Sequence, residues 1–126
     1  MKNHHSFLFI LFLILFSQKL IAQNSETDST TSHLLIEKGI ALHDDGKYDE
    51  AIKIYSSISK CDPNYWWACY ETALSNYDLT NLELALNKCR ESENLNPDNV
   101  GTLSLTGSIL DDMGKTGEAI SRLFRS

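Results

Sequence analysis

One interval, 34 residues, recurs through this chain and constrains its fold more than any other feature. Small residues return at that interval in two sets, which are Ala51, Ala85 and Ala119, and Gly39, Ala73 and Gly107. A fixed period of this length is typical of stacked supersecondary units, each of which buries its apolar face against its neighbour. The interval therefore predicts a repeat architecture that serves as an interaction scaffold, and it says little about what the scaffold binds.

The first 22 residues have the layout of a secretory signal peptide. A short basic start is followed by an unbroken apolar run over residues 7–16, a polar break at 17–19, and Ala22 as the cleavage residue. The apolar run is well short of the ~20 residues that a helix needs to cross a bilayer. We therefore expect cleavage after Ala22 and a periplasmic or secreted bacterial protein, with an uncleaved membrane tether as the alternative.

The remaining 104 residues are enough for one small, acidic domain. Loss of Lys2 and Lys19 with the signal leaves 9 basic residues against 17 acidic ones, a formal charge of −8. This charge argues against nucleic acid and anionic membranes as partners, and we expect no stable membrane insertion after cleavage. Residues 23–32 carry no large apolar side chain and are predicted to be a disordered leader, so the folded domain is expected over 33–126.

Amphipathic helical segments alternate with turn signals throughout this domain. The apolar spacing predicts helix pairs over residues 32–65 and 66–99, and an incomplete third pair over 100–126. Gly46 and Gly114 suit the left-handed backbone of a helix C-terminus. At the equivalent position of the middle pair, Thr80 should strain the turn unless Asn81 is left-handed instead. Two residues are available as N-caps of first helices, Ser32 and Asn64.

Over residues 32–126 these motifs resemble those of tetratricopeptide repeat proteins. The most specific stretches are residues 46–52 (GKYDEAI) and 114–120 (GKTGEAI), with the motif DPN at 62–64. The resemblance implies an all-α solenoid of helical hairpins with about two and a half to three repeats. It also implies that the first helices line a concave groove that holds an extended peptide or a partner helix.

The small residues have a packing role in such hairpins. Short side chains let two antiparallel helices approach closely and interlock their ridges. We expect one small residue of each first helix to face one of the second helix: Gly39 with Ala51, Ala73 with Ala85, and Gly107 with Ala119.

An aromatic stripe on the first helix of the middle pair is the most function-like feature. Trp67, Tyr70, Leu74 and Tyr77 recur at intervals of three and four and share one helix face. By the resemblance, they project into the groove and form a binding surface for a protein or peptide. The alternative is that the rings pack between adjacent first helices, in which case the hydroxyls of Tyr70 and Tyr77 would not be wet. Flanking groove residues would be His33, Ile36, Ile40 and His43 on one side, and Gly101, Ser104, Ser108 and Asp111 on the other.

No constellation for catalysis, cofactor binding or metal binding is present in the sequence. His33 and His43 have no partner at metal-ligand spacing, and no phosphate loop or nucleophile motif occurs. Antiparallel packing would bring Cys69 and Cys89 to the same level, so a disulfide is one alternative and two buried thiols the other. Cys61 is left over in both cases. We therefore expect a binding protein rather than an enzyme.

Three functions remain open. The first is a scaffold or adaptor that binds a peptide or helix in the groove. The second is the N-terminal interaction segment of a longer periplasmic enzyme or sensor. The third is a structural protein that forms homo-oligomers through its C-terminal repeat, where the apolar residues are Ile120, Leu123 and Phe124.

Overall fold

The computed structural model describes the backbone of residues 4–124, and the side chains in that range other than those of residues 18–28, 116, 119, 122 and 123. This part of the chain contains helices and turns but no strand, which confirms the predicted all-α class. The helices are α1 (His4–Asp44), α2 (Tyr48–Tyr55), α3 (Tyr65–Asp78), α4 (Leu82–Leu95), α5 (Val100–Asp112) and α6 (Thr116–Leu123).

The six helices form three consecutive antiparallel hairpins, as expected for a tetratricopeptide-type solenoid. Each first helix contacts the next first helix, so α1, α3 and α5 form one layer. Across the described residues, α2 and α4 make no such contact, and an open cleft lined by Tyr55, Cys69 and Lys88 lies between them. Because the first helices lie closer together than the second ones, they form the inner, concave layer.

All three turns within the hairpins use the same backbone geometry. Gly46, Thr80 and Gly114 have φ values of 75°, 63° and 71°. In each turn, the backbone N–H of the residue after the positive-φ residue donates to the carbonyl five residues before it. In the middle turn, for example, the Asn81 N–H donates to the Asn76 carbonyl at 2.8 Å. This hydrogen bond places the preceding residue in the left-handed region. Thr80, and not Asn81, therefore adopts the conformation that a β-branched residue rarely takes.

The small residues lie at the hairpin interfaces in the first two repeats. Ala51, Ala73 and Ala85 are fully buried. A Cβ atom on Gly39 would collide with the ring of Tyr55, whereas one on Gly107 would meet nothing within 4 Å. The side chain of Ala119 lies outside the described residues.

Two apolar clusters form the core, one on each side of α3. The first cluster lies between α1, α2 and α3 and includes Ile36, Tyr55 and Cys69. The second lies between α3, α4 and α5 and includes Cys89. The disulfide considered between Cys69 and Cys89 is not formed, because the two buried thiols belong to different clusters.

The N-terminal region differs from the expectation for residues 23–32. Helix α1 continues through this segment without a break. The segment contains neither glycine nor proline, the two residues that most strongly end a helix. The apolar side chains of residues 7–16 project from α1 into solvent and belong to neither core cluster. Over the described residues, no helix is long and apolar enough to span a membrane.

Of the two predicted N-caps, Ser32 is wrong, whereas Asn64 does occupy the N-cap position of α3 but makes no capping hydrogen bond with its side chain. Ser32 lies inside α1, and its hydroxyl is 2.8 Å from Asp62 Oδ1. The Asn64 amide donates to Ser32 Oγ and to the Ser29 carbonyl, both at 2.9 Å, so its side chain joins α1 to the start of α3. The start of α5 does have a side-chain cap: Asn99 Oδ1 accepts from the Thr102 N–H at 2.8 Å.

Candidate functional site

The candidate binding surface is the solvent side of the α1, α3 and α5 layer. The other sides of α3 pack against α1, α2, α4 and α5, so only a narrow stripe of this helix faces the concave side. Steps of four, three and four residues keep side chains on such a stripe. We call the resulting surface the inner face. Its positions are His33, Glu37, Ile40 and Asp44 on α1, Trp67, Glu71, Leu74 and Asp78 on α3, and Gly101, Leu105, Ser108 and Asp112 on α5. The Leu105 side chain itself is buried in the second core cluster.

Trp67 is the aromatic residue of the inner face, and its position is held from two directions. Its ring lies 5.2 Å from the His33 ring, between centroids, at an angle of 51°. Its Nε1–H donates to Glu71 Oε1 at 2.9 Å. The indole also packs against the first core cluster and remains partly exposed. A side chain fixed in this way offers a large contact area with little rotamer entropy left to lose.

Glu71 is a carboxylate that the sequence analysis missed. It is only 8% exposed. Burial raises the pKa of this carboxyl, and the hydrogen bond from Trp67 and the nearby His43 act in the opposite direction. Among the described residues, its Oε1 has a hydrogen-bond donor and its Oε2 has none. The available signal was the spacing, because Glu71 follows Trp67 by one helical turn.

Tyr70 and Tyr77 belong to the contact between α3 and α5. A Cβ atom on Gly101 would lie 3.3 Å from the Tyr70 hydroxyl, so this ring packs directly against the α5 backbone. Burial raises the pKa of Tyr70. The Tyr77 hydroxyl donates to Asp112 Oδ2 at 2.7 Å. The Tyr70 ring thus packs between adjacent first helices, as the alternative expected, whereas the Tyr77 hydroxyl remains exposed and bridges α3 to α5 at the surface.

Two further residues of the predicted groove have other roles, and their assignment to it is wrong. Ile36 is fully buried in the first core cluster. His43 connects α1 to α3: its Nδ1 lies 2.8 Å from Ser75 Oγ, and its Nε2 lies 3.1 Å from Asp78 Oδ2. The His43 ring also meets the Tyr48 ring edge-on, with centroids 4.9 Å apart. Both side chains therefore stabilise the scaffold and do not face the concave side.

Ile40 and Leu74 do lie on the inner face. Both are partly buried, Ile40 against the first core cluster and Leu74 against the second. Together with Trp67 they form a small apolar centre on α1 and α3. Of the seven predicted groove residues, these three and Tyr77, whose hydroxyl is exposed, keep a position from which they can contact a partner.

One bridging contact recurs with the repeat. His43 of α1 pairs with Asp78 of α3, and 34 residues later Tyr77 of α3 pairs with Asp112 of α5. Asp44 is the equivalent aspartate of the first repeat, and it is exposed. These three aspartates are the last residues of α1, α3 and α5. A carboxylate at a helix C-terminus faces the negative end of the helix dipole, which is unfavourable.

The inner face is strongly acidic. Five of its twelve residues are carboxylates, and none is lysine or arginine. Within the described residues, no group of three or more histidine, cysteine, aspartate or glutamate side chains is arranged to hold a metal ion. The carboxylates are Glu37, Asp44, Glu71, Asp78 and Asp112.

Comparison with known proteins identifies the fold. No family model matches the chain. Human tetratricopeptide repeat protein 13 is 29% identical over 114 residues, which cover 86% of this chain and 13% of the relative. The chain thus spans about an eighth of that relative's length.

Two solved structures share the architecture. The first TPR of Spaghetti (RPAP3), bound to the HSP90 peptide SRMEEVD, matches with a TM-score of 0.71 and 28% identity, over 77% of this chain and 79% of that one. The second TPR of Spaghetti, bound to the same peptide, matches with a TM-score of 0.72 and 18% identity, over 80% and 93%. The described hairpins therefore have the tetratricopeptide repeat fold, with about three repeats.

Proposed function

We propose that this chain is a tetratricopeptide adaptor that binds an extended protein or peptide segment on its inner face, and that it acts by binding rather than by catalysis. The observation that carries the proposal is Trp67, an indole held rigidly by His33 and Glu71 yet still partly exposed on the concave side. The likeness to a repeat domain bound to a peptide supports the same function.

The binding centre is narrower than the aromatic stripe. Trp67, Ile40 and Leu74 form an apolar patch, and polar and acidic side chains surround it. Such an arrangement, with a rigid aromatic anchor at the centre and a polar rim, is typical of interface hot spots. Tyr70 and Tyr77 contribute indirectly, because they hold α5 against α3.

A peptide array tests this proposal. Labelled protein is applied to an array of short synthetic peptides of varied sequence, and bound signal is compared between variants. Leu74→Ala should reduce binding at least about tenfold, as expected for a hot-spot residue, without unfolding the protein. Leu84→Ala is the matched control, because Leu84 is 57% exposed on α4, outside the inner face. Equal binding by wild type and Leu74→Ala would contradict the proposed surface.

We also propose that the chain is exported and that residues 1–22 are removed. The motif in the sequence supports this, as does the solvent exposure of every side chain from Phe7 to Phe16. N-terminal sequencing of the protein recovered from a periplasmic fraction should begin at Gln23. Recovery of the full-length chain in the membrane fraction would favour the tethered form instead.

Self-association through α6 is a second candidate function. Phe124 and Ile120 are 86% and 51% exposed, which leaves apolar surface next to the last hairpin. Sedimentation at increasing protein concentration should reveal a dimer that Phe124→Asp abolishes. A monomer at all concentrations would remove this candidate.

A further inference from the structure

The carboxylates of the inner face follow the same interval as the fold itself. Glu37 and Glu71 are 34 residues apart, and Asp44, Asp78 and Asp112 share that interval. The repeat therefore places acidic groups in two rows across the first helices. Ile40 and Leu74 lie between these rows, and Trp67 lies one helical turn before Glu71, at the outer side of the glutamate row.

Local contacts account for only part of the acidic rows: Asp78 pairs with His43, and Asp112 accepts a hydrogen bond from Tyr77, but the helix dipole opposes every aspartate of the row. The aspartates stand at helix C-termini, where cations would be favoured, and neither α3 nor α5 has a basic residue in its last turn. Most of the Glu71 side chain is buried, while its Oε2 has no hydrogen-bond donor among the described residues and reaches solvent. Features that oppose local stability in this way concentrate at functional sites.

The surroundings of Glu71 are suited to a cation. The Trp67 indole, to which Glu71 is hydrogen-bonded, has a π face of the kind that attracts ammonium and guanidinium groups. Asp44 and His43 both act electrostatically on the Glu71 carboxylate, Asp44 against its charge and His43 in favour of it. A lysine or arginine side chain placed here would contact an aromatic ring, offer a donor to Glu71 Oε2 and reduce the repulsion between the two acids.

We propose that the inner face selects a cationic partner, namely an extended peptide segment whose lysine or arginine side chain lies between Trp67, Glu71 and Asp44. This inference rests on the proposed function, since it names the chemistry of the segment that the inner face binds. It also separates this chain from its structural neighbour. The peptide bound there, SRMEEVD, has three acidic residues and one basic residue. The acidic rows of the inner face would repel such a peptide.

Binding of charge-sorted peptide pools tests this inference. Three fluorescein-labelled pools share the same apolar residues and differ only in containing lysine and arginine, aspartate and glutamate, or serine and threonine. Fluorescence anisotropy with the full chain should show the basic pool binding at least about tenfold more tightly than the neutral pool. The acidic pool and SRMEEVD should bind more weakly than the neutral pool, and added salt should weaken the basic pool most.

A pair of charge-matched variants locates the effect. Glu71→Gln with Asp44→Asn removes two charges from the inner face and keeps an oxygen acceptor for the Trp67 indole. Glu83→Gln with Asp49→Asn makes the same two kinds of change at exposed positions of the second helices α4 and α2. Affinity for the basic pool should fall at least about tenfold in the first variant and less than about twofold in the second. Circular dichroism checks that both variants fold.

The possible outcomes separate the inference from the proposed function. Equal binding of all pools, or preference for acidic ones, would overturn the charge selection while leaving peptide binding in place. Equal loss in both charge variants would also overturn it, because the effect would then be long-range and not local to the inner face. Binding of no pool would contradict the proposed function and the inference together.

Discussion

The two junctions of α3, one with α1 and one with α5, use equivalent positions and different chemistry. At the α1 junction, His43 pairs with Asp78, and the buried Glu71 lies nearby. At the α5 junction, tyrosines take over: Tyr70 packs on the α5 backbone and Tyr77 donates a hydrogen bond to an aspartate. The same 34-residue interval thus supports both a polar junction and an aromatic one.

The contrast extends into the two core clusters. The first cluster contains the Tyr55 hydroxyl, which is buried and has no hydrogen-bond partner among the described residues. The buried members of the second cluster are apolar or thiol side chains. An unpaired buried hydroxyl and a buried carboxylate both cost stability. We infer that the α1 side of α3 gives up stability for a polar site, whereas the α5 side serves mainly to hold the repeats together.

The largest expected difference between the first and last hairpins concerns glycine. Gly39→Ala should destabilise the protein by about 1–3 kcal/mol, because the added Cβ would collide with the Tyr55 ring. Gly107→Ala should stabilise it by up to about 1 kcal/mol, because the added methyl meets nothing and alanine favours the helix. Urea denaturation of both variants measures these changes. If both substitutions changed the free energy of unfolding in the same direction, the first and last hairpins would pack alike at these positions.

Truncation of the bridging residues compares the two junctions directly. His43→Ala should cost about 2 kcal/mol, because it removes a largely buried ring and leaves Ser75 and Asp78 without their partner. Tyr77→Phe removes only an exposed hydrogen bond to Asp112 and should change the melting temperature little. If Tyr77→Phe lost more stability than His43→Ala, the α5 junction would contribute more to stability than the α1 junction, which is the reverse of what we expect.

Two glutamates should respond to pH with opposite signs. Burial raises the pKa of Glu71, so ionisation of this carboxyl opposes folding. The folded protein is therefore more stable in acid, where Glu71 is neutral, and loses that stability as the pH rises through the raised pKa. The Tyr65 hydroxyl and Lys88 lower the pKa of Glu91, so its contribution is present near neutral pH and lost as pH falls through the lowered value.

At pH 7, Glu71→Gln should therefore stabilise the protein by on the order of 1 kcal/mol, and Glu91→Gln should destabilise it. Thermal melts between pH 3 and about pH 8 measure both effects. As the pH falls, the increase in melting temperature caused by Glu71→Gln should shrink. The decrease caused by Glu91→Gln should shrink as well. A gain for Glu71→Gln that did not depend on pH would contradict a charge effect.

The smallest expected effects come from two tyrosine hydroxyls. Tyr55→Phe removes an unpaired buried hydroxyl and should be neutral or stabilising by less than about 1 kcal/mol. Tyr65→Phe is the control, because that hydroxyl donates to Glu91 Oε1 at 2.6 Å, and its loss should be destabilising. If Tyr55→Phe were the more destabilising of the two, its hydroxyl would have a partner in solution.

Much of the fold could be predicted from the sequence because its signals are local. The glycine pair Gly46 and Gly114 marks two turns, and the equivalent residue Thr80 adopts the same left-handed geometry. The site was harder to predict. A helical wheel places Tyr70 and Tyr77 on the same side of α3 as the indole, but only the position of α5 partly buries Tyr70 against its backbone and gives the exposed Tyr77 hydroxyl a partner. The buried glutamate of α3 was missed because a charged residue in a helix is usually solvated.

The sequence by itself determined that the chain forms helical hairpins stacked at a 34-residue interval, because turn residues, small residues and apolar spacing act within or between neighbouring helices. The tertiary structure alone decided which side chains remain available to a partner. That outcome depends on how each hairpin is rotated against the next, which leaves Trp67 partly exposed, encloses Ile36 and His43, and brings a buried carboxylate beside the indole.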